Sequence, residues 1–208
     1  MQILHPEVSR YMESLLPARD THFSDMESHA QEHNFPIVGA LSGSCLAQLA
    51  RMCGARRVLE LGSGFGYSAL WLLSVLPEDG SIVCSDRSEE NRERAMRMFD
   101  ELGYTDRVDF RCGDALEILD STEGEFDFIF CDIDKLDYPE VYRRAFPRIR
   151  KRGALVFDNA LWSGRMLEGD DSEKTRCVVE LNRMAHADPA CLASIIPVRD
   201  GLLVCCKR

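Results

Sequence analysis

From residue 57 onwards, short apolar segments alternate with longer segments of helical character. The apolar segments predict strands near residues 57–61, 81–86, 107–111, 126–131, 153–158, 192–197 and 201–206. Strands that alternate with helices form mainly parallel sheets covered on both faces. The part of the chain before them predicts two or three helices instead, near residues 6–17, 21–33 and 39–53.

The last two predicted strands are joined differently from the others. Only residues 199–201 separate the apolar segments 194–198 and 202–206. A crossover helix needs many more residues than that. The two strands are therefore expected to pair antiparallel, as a hairpin.

Length and hydrophobic content favour a single domain. The chain has 208 residues, of which 45% are hydrophobic, and this is enough for one α/β domain with a full core. We expect one domain over residues 1–208, built on a doubly wound, seven-stranded, mostly parallel sheet with a C-terminal antiparallel hairpin. Residues 1–56 would form a helical cap, over a cofactor cleft or at a dimer contact, and residues 57–208 the sheet with its helices.

The charge of the chain narrows the class of partner. A formal net charge of -10 argues against a nucleic-acid or anionic-membrane surface, so we expect a small-molecule partner. No apolar run approaches the roughly 18 residues of a membrane span, and the N-terminal segment lacks a secretory pattern, so we expect a cytoplasmic protein. The nine cysteines form no Cys-x-x-Cys pair and are interpreted as free thiols buried as small apolar groups.

A glycine-rich turn follows the first predicted strand. Gly62, Gly64 and Gly66 lie between that strand and a helical segment, where backbone has to pass close to a ligand. A dinucleotide fingerprint requires glycine at the sixth position of this turn, which is Tyr67 here. The spacing therefore weakens the hypothesis of an NAD-dependent oxidoreductase, which stays as an alternative.

Carboxylates stand at the ends of the first three strands. Glu60 precedes the glycine turn and Asp86 ends the second strand, and this pair suits a cofactor with an amino-acid part and a free ribose, such as S-adenosylmethionine. A helix N-cap is the alternative for Asp86. Asp114 opens a helix at Ala115, where it would contact an adenine amino group, cap the helix, or do both.

Two further carboxylates and an amide follow the fourth and fifth strands. Asp132 comes after one strand, and Asp158 and Asn159 come after the next. Because neighbouring strand ends lie about 5 Å apart, these oxygens can converge on a divalent cation, Mg²⁺ before Mn²⁺ or Ca²⁺. The alternative is that they form turns or helix caps. Lys135 would act there as a general base, or would be an ordinary surface lysine.

Two other segments carry weaker signals. His29 and His33 flank Glu32 in a zinc-protease spacing, but the chain offers no obvious third ligand, so a polar helix face is the preferred interpretation. The longest predicted loop, residues 163–173, is polar and follows the fifth strand, and it is a candidate lid.

Four segments of the chain resemble the cation-dependent O-methyltransferases, the family of caffeoyl-CoA and catechol O-methyltransferases with small bacterial relatives. They are residues 60–68, 128–135, 158–164 and 200–204, within a similarity that covers about residues 36–208. The resemblance implies a homodimeric class I methyltransferase that acts on a hydroxyl of a small catechol-like aromatic. It implies Lys135 as catalytic base, a metal held by Asp132, Asp158 and Asn159, and S-adenosylmethionine contacts at Val38, Glu60, Gly62, Gly66, Ser68, Asp86, Asp114, Ala115 and Asp132.

One segment departs from the pattern of that family. Residues 36–45 read PIVGALSGSC, where family members usually have an acidic turn that contains Gln. A non-catalytic protein of the same fold, which binds S-adenosylmethionine or serves in assembly, is therefore kept as an alternative.

Overall fold

A seven-stranded sheet runs through the middle of the computed structural model, which describes residues 3–208. Its strands are β1 (Arg57–Leu61), β2 (Ser81–Asp86), β3 (Val108–Cys112), β4 (Phe126–Cys131), β5 (Ile149–Phe157), β6 (Cys191–Ile196) and β7 (Leu202–Lys207). They are ordered β3-β2-β1-β4-β5-β7-β6. The first five are parallel, and β7 pairs antiparallel with both β5 and β6. The predicted fold class and the C-terminal hairpin are therefore confirmed.

Eight α-helices surround the sheet in the described part of the chain. They are α1 (Pro6–Ser14), α2 (Thr21–Glu32), α3 (Gly39–Met52), α4 (Tyr67–Leu73), α5 (Glu89–Glu101), α6 (Ala115–Ser121), α7 (Tyr138–Ala145) and α8 (Glu173–Ala187). The first three confirm the predicted helical segments before the sheet. No helix among residues 3–208 is both long enough and apolar enough to cross a membrane.

Most boundaries agree with the expected ones to within one residue, and three differ by more. Helix α1 ends at Ser14 rather than at residue 17, because Pro17 disfavours the helical conformation in the residue before it. Strand β5 begins at Ile149, four residues earlier than predicted, and its register with β4 shifts near its start. The predicted loop 163–173 begins within a short 3₁₀ segment, Trp162–Leu167, which is kinked at Ser163 and Gly164.

The strands bury both faces, as parallel strands covered by helices require. Along β4, Phe128 and Phe130 join the core beneath α2 to α5, whereas Ile129 and Cys131 join the core beneath α6 to α8. The nine cysteines are all free thiols, and four of them are buried as predicted. Cys112 is exposed, contrary to that interpretation, because it ends β3 at the edge of the sheet.

The turn after β1 depends on the absence of a side chain at Gly62. Gly62 has a φ of +86°, and a Cβ placed there would lie 2.2 Å from the carbonyl oxygen of Asp132. That oxygen belongs to the backbone beyond β4 and cannot rotate away. Close approach of the two strand ends therefore requires glycine at this position.

Replacing Gly62 by alanine is expected to destabilise the protein through both strain and overlap. The matched control is Gly103→Ala, because Gly103 also has a positive φ, +71°, but has nothing within 4 Å of its Cβ position. Gly62→Ala should lose about 1–3 kcal/mol more unfolding free energy than the control, in urea titrations of the ligand-free protein. Equal losses in the two variants would show that the overlap with Asp132 is relieved.

Glu60 is a fully buried carboxylate in the centre of the sheet. It pairs in register with Cys84 of β2 and Phe130 of β4, and its exposed fraction is 0%. The Cys84 thiol lies 3.8 Å from Oε2 as a weak donor. Burial raises the pKa of Glu60 to about 7, although the nearby hydroxyls of Ser68 and Ser63 partly oppose the shift.

This raised pKa predicts a pH-dependent stability. Because the folded-state pKa exceeds the unfolded value of 4.5, the folded state loses stability as pH rises from 4.5 to about 7. Glu60→Gln removes that titration, so its stability relative to wild type should rise over this interval by about 3 kcal/mol. Urea unfolding of the ligand-free proteins at pH 4.5 and pH 8 measures the difference, with the exposed Glu117→Gln as control. A pH-independent difference would contradict the prediction.

Candidate active site

The carboxyl ends of the parallel strands open into two adjoining cavities. The larger has a volume of about 1010 Å³ and extends to the helical cap, and the smaller has about 280 Å³ and lies towards β3. Gly62, Asp86 and Asp132 line both cavities and form the border between them. Ligands of open α/β sheets bind at this edge.

The structure brings most of the predicted site residues to these walls. The larger cavity is lined by Val38, Gly62, Ser68, Asp86, Asp132, Lys135, Asp158 and Asn159, and the smaller by Gly62, Asp86, Asp114, Ala115 and Asp132. Glu60 and Gly66 do not line either cavity. Glu60 is buried behind the turn, and a Cβ on Gly66 would lie 2.9 Å from the Phe99 ring of α5. Glu60 therefore supports the turn from behind, whereas Gly66 belongs to the turn and packs against α5.

Asp86 connects the glycine turn to the second strand. Its Oδ2 accepts a hydrogen bond of 3.0 Å from the Gly64 amide, and its Oδ1 accepts from Ser88 N and from the Asn91 side chain. The N-cap residue of α5 is Ser88, whose hydroxyl accepts from Asn91 N. The alternative of Asp86 as a helix N-cap is therefore wrong.

Asp114 caps a helix, as one of its two interpretations predicted. Its Oδ1 accepts from the amides of Leu116 and Glu117 in the first turn of α6. Its Oδ2 lies 2.6 Å from Nη2 of the exposed Arg87, and this contact lowers the pKa of Asp114. Ala115 follows in the wall of the smaller cavity.

Asp132 and Asp158 extend the pairing of adjacent strands by one residue. Cys131 and Phe157 are register partners in β4 and β5. Just beyond them, Asp132 N donates to Leu61 O (2.8 Å) and Asp158 N to Cys131 O (3.1 Å). Each of the two aspartates therefore directly follows the last residue of its strand, at the same edge of the sheet.

The Asp158 carboxylate is buried and incompletely satisfied. The residue is 6% exposed, and its Oδ1 has no hydrogen-bond partner. Burial, followed by the charge of Asp132, raises the pKa of Asp158 above its usual range. A buried carboxylate with an unpartnered oxygen is unfavourable unless a cation or donor reaches it.

Asn159 is oriented by the turn of the C-terminal hairpin. It has a φ of +55°, and its Nδ2 donates to Asp200 Oδ2 at 3.2 Å. Asp200 Oδ1 accepts a hydrogen bond from Ser163 N. The Asn159 amide nitrogen is thus engaged by Asp200, which leaves its carbonyl oxygen as the group to act as a ligand.

Lys135 is held at the bottom of the cleft. It is 8% exposed, and its Nζ donates to Asp132 Oδ1 (2.9 Å) and to Ile133 O (3.0 Å). The ammonium also lies 4.8 Å from the centre of the Tyr138 ring. The alternative of an ordinary surface lysine is therefore wrong.

Sequence reasoning missed several residues of the larger cavity: Glu27, Phe35, Tyr67, Trp162, Arg199 and Asp200. Tyr67 OH donates to Glu27 Oε1 at 2.5 Å and so links α4 to the cap. A signal existed for Tyr67, Trp162 and Asp200, which lie in the segments that resemble the family; Asp200 is also followed by Gly201, and Asp-Gly in a short hairpin connection marks a tight turn. The cap residues have no local pattern that indicates a cleft.

The histidine pair of α2 lies beside this cleft. The His29 and His33 rings are 4.0 Å apart, and His29 packs edge-on against Phe65 at 5.3 Å. Within residues 3–208, no three side chains drawn from His, Cys, Asp and Glu are grouped as a metal site. The ligands expected at the strand ends, Asp132, Asp158 and Asn159, are not such a group, because one of the three is an amide.

Comparison with known proteins assigns the chain to a family. A family model described as O-methyltransferase matches residues 20–208. Caffeoyl-CoA O-methyltransferase 1 of Eucalyptus globulus is 32% identical over 206 residues, which cover 92% of this chain and 84% of that protein. Caffeoyl-CoA O-methyltransferase 1 of Arabidopsis thaliana is 30% identical over 207 residues, with coverages of 92% and 80%.

Solved structures agree with this assignment. The O-methyltransferase of Bacillus cereus, in complex with SAH, has a TM-score of 0.87 and 25% identity, and 97% of each chain is covered. TomG of Streptomyces achromogenes, in complex with SAM, also has a TM-score of 0.87, with 30% identity and coverages of 97% and 96%. The alternative of an NAD-dependent oxidoreductase is therefore wrong. The chain belongs to the O-methyltransferase family, and it is a methyl-transferring enzyme, as its motifs predicted.

Proposed function

We propose that the enzyme transfers the methyl group of S-adenosylmethionine to one hydroxyl of a small, catechol-like aromatic acceptor, with a divalent cation as second cofactor. The observation that carries this proposal is the buried, unpartnered Oδ1 of Asp158 beside Asp132, in the cavity that Lys135 also lines. Caffeoyl-CoA O-methyltransferases among the relatives support the acceptor class.

The border between the two cavities suits the cofactor. Asp86 stands on that border, where its carboxylate would accept hydrogen bonds from the ribose hydroxyls. The smaller cavity, beside Asp114 and Ala115, would take the adenine, and the glycine turn would take the amino-acid part. The methyl group would then point into the larger cavity.

The donor set at the strand ends fits a hard cation. Asp132, Asp158 and Asn159 offer carboxylate and amide oxygens, the ligands that Mg²⁺ takes in proteins. The unpartnered Asp158 Oδ1 and the occupied Asn159 Nδ2 are consistent with oxygen ligation. When bound, such a cation lowers the pKa of a hydroxyl and orients the two oxygens of an acceptor.

The residues of the chain would perform the remaining steps. Lys135, in its neutral form, would accept the acceptor hydroxyl proton at Nζ, and Asp132 would stabilise the ammonium that results. The buried Tyr138 donates to Asp158 O at 3.0 Å and so fixes the backbone of the donor set. Alignment of oxygen, methyl carbon and sulfur within the cavity would supply most of the acceleration.

Asp158→Asn is expected to separate cofactor binding from cation-dependent catalysis. It keeps the shape of the side chain but removes the charge that a cation needs. Methylation of catechol in saturating Mg²⁺ should fall by about 100-fold or more, since loss of an outer partner of a metal ligand already costs about 10–100-fold. S-adenosylhomocysteine affinity, measured by calorimetry, should stay within about threefold, because the contacts we propose for the cofactor lie mostly on earlier strands.

The matched control is Asp106→Asn, an exposed carboxylate near β3. It should behave like the wild type in both measurements. Wild-type activity that resists EDTA, or full Mg²⁺-dependent activity in Asp158→Asn, would disprove the cation site. Cofactor binding without methylation of any diphenol would show that the acceptor belongs to another chemical class.

Lys135→Met is expected to remove the general base while the apolar stem is kept. Single-turnover methylation should slow by about 10²–10⁴-fold, with little change in cofactor affinity. Lys151→Met, at an exposed position of β5, serves as control. Rapid-quench measurements with excess enzyme test this, and a rate within about threefold of wild type would exclude Lys135 as the base.

A further inference from the structure

We propose that Arg199 forms an anion subsite at the acceptor end of the larger cavity, and that the natural acceptor is a catechol-type ring that carries a carboxylate. The inference rests on the proposed function and adds the substrate class to it. Arg199 is one of five residues that connect β6 to β7, and it lines the same cavity as Asp158 and Asn159.

Arg199 adopts a backbone conformation that normally belongs to glycine. Its φ is +48°. The described residues contain six non-glycine residues with positive φ, and five of them line the larger cavity: Asn34, Asn159, Trp162, Ser163 and Arg199. Strained residues of this kind concentrate at ligand sites, where the surrounding structure holds them in place. Arg199 therefore belongs to a group of strained residues in the wall of this cavity.

The guanidinium of Arg199 is fixed in position by the cap. Its Nη1 donates to Ile37 O at 2.6 Å. A Cβ on Gly39 would lie 2.8 Å from the same Nη1, so glycine at that position leaves the space that the guanidinium occupies. The carbonyl of Ile37 is neutral, and it engages one nitrogen of the guanidinium. The group is therefore anchored, while most of its donors remain for a ligand.

The charge of Arg199 has no carboxylate partner within residues 3–208. Lys135 and Arg199 are the two cationic side chains of the cavity wall, and Lys135 is paired with Asp132. The acidic Glu27 of the same wall is paired with Arg19. The wall also carries the carboxylates of Asp86, Asp158 and Asp200, and among the described residues Arg199 is its one cation that no ion pair occupies. In a chain with a net charge of -10, an anionic acceptor needs such a local cation to bind.

The position of Arg199 relates it to the reacting end of the cavity. It precedes Asp200, whose carboxylate holds the Asn159 side chain. A ring with its two hydroxyls at Asp158 and Asn159 lies in the cavity that Arg199 also lines, so a carboxylate on that ring can meet the guanidinium. The planar guanidinium matches a carboxylate in shape and charge.

The test compares two acceptors, one with an anionic and one with a neutral ring substituent. The acceptors are 3,4-dihydroxybenzoate and its methyl ester, each assayed for kcat/KM with wild type, Arg199→Gln, Arg199→Lys and Arg97→Gln. Wild type should prefer the acid, and Arg199→Gln should reduce the acid-to-ester ratio by about 10–100-fold, the range for a charged hydrogen bond, through KM. Arg199→Lys should retain part of the preference because it keeps the charge.

Arg97→Gln is the matched control, since it removes the same charge from the exposed face of α5. It should leave the acid-to-ester ratio at the wild-type value. Equal loss for both acceptors in Arg199→Gln would show that Arg199 merely anchors the cap through Ile37, and would overturn the proposal. A wild type that does not prefer the acid would overturn it as well.

Failure of the proposed methylation reaction can be distinguished from failure of the Arg199 subsite. If wild type methylates neither acceptor, the enzyme assay is replaced by calorimetric titration of both compounds into the protein with S-adenosylhomocysteine and Mg²⁺. Binding of the acid that exceeds binding of the ester, and that is lost in Arg199→Gln, would support the subsite without the proposed reaction. Equal binding of the two compounds would overturn the subsite.

Discussion

The continuation of the parallel ladder from β1 through β4 to β5, one residue past the strands, is the constraint on which the site depends. Asp132 N donates to Leu61 O and Asp158 N donates to Cys131 O. Each of the strands β4 and β5 is therefore followed by an acidic residue at the same edge of the sheet. Gly62 permits this because its missing side chain leaves room for the Asp132 carbonyl. Any change that separates these strand ends would separate the two carboxylates as well.

The sheet contains two buried carboxyl groups at the expense of stability. Glu60 and Asp158 are both buried, and burial raises the pKa of each. Isolated carboxylates in such surroundings are unfavourable, and proteins retain them mainly where a ligand or reaction uses them. The two differ in position: Asp158 lines the larger cavity, whereas Glu60 stands behind the glycine turn. Asp158 is thus the one of the two that a ligand in the cavity can reach directly.

The hairpin turn has a second role besides closing the sheet. Asp200 orients Asn159 and accepts from Ser163 N, while Arg199 reaches back to the cap at Ile37. One short connection therefore joins the strand ends, the segment after β5 and the helical cap. Local strain at Asn159 and Arg199 is tolerated because these contacts hold both residues from several sides.

The sequence by itself determined the fold class, the strand that each motif follows, the terminal hairpin and the family. These follow from the hydrophobic period and from residues that are close along the chain. It also identified Asp132, Lys135, Asp158 and Asn159, because parallel strands end at one edge. Tertiary structure alone decided that Glu60 lies behind the turn, that Gly66 packs against α5, that Asp114 is bound to Arg87, and that Arg199 lines the cavity. The reason is that burial and long-range contacts between the cap and the hairpin leave no local periodicity or spacing in the chain.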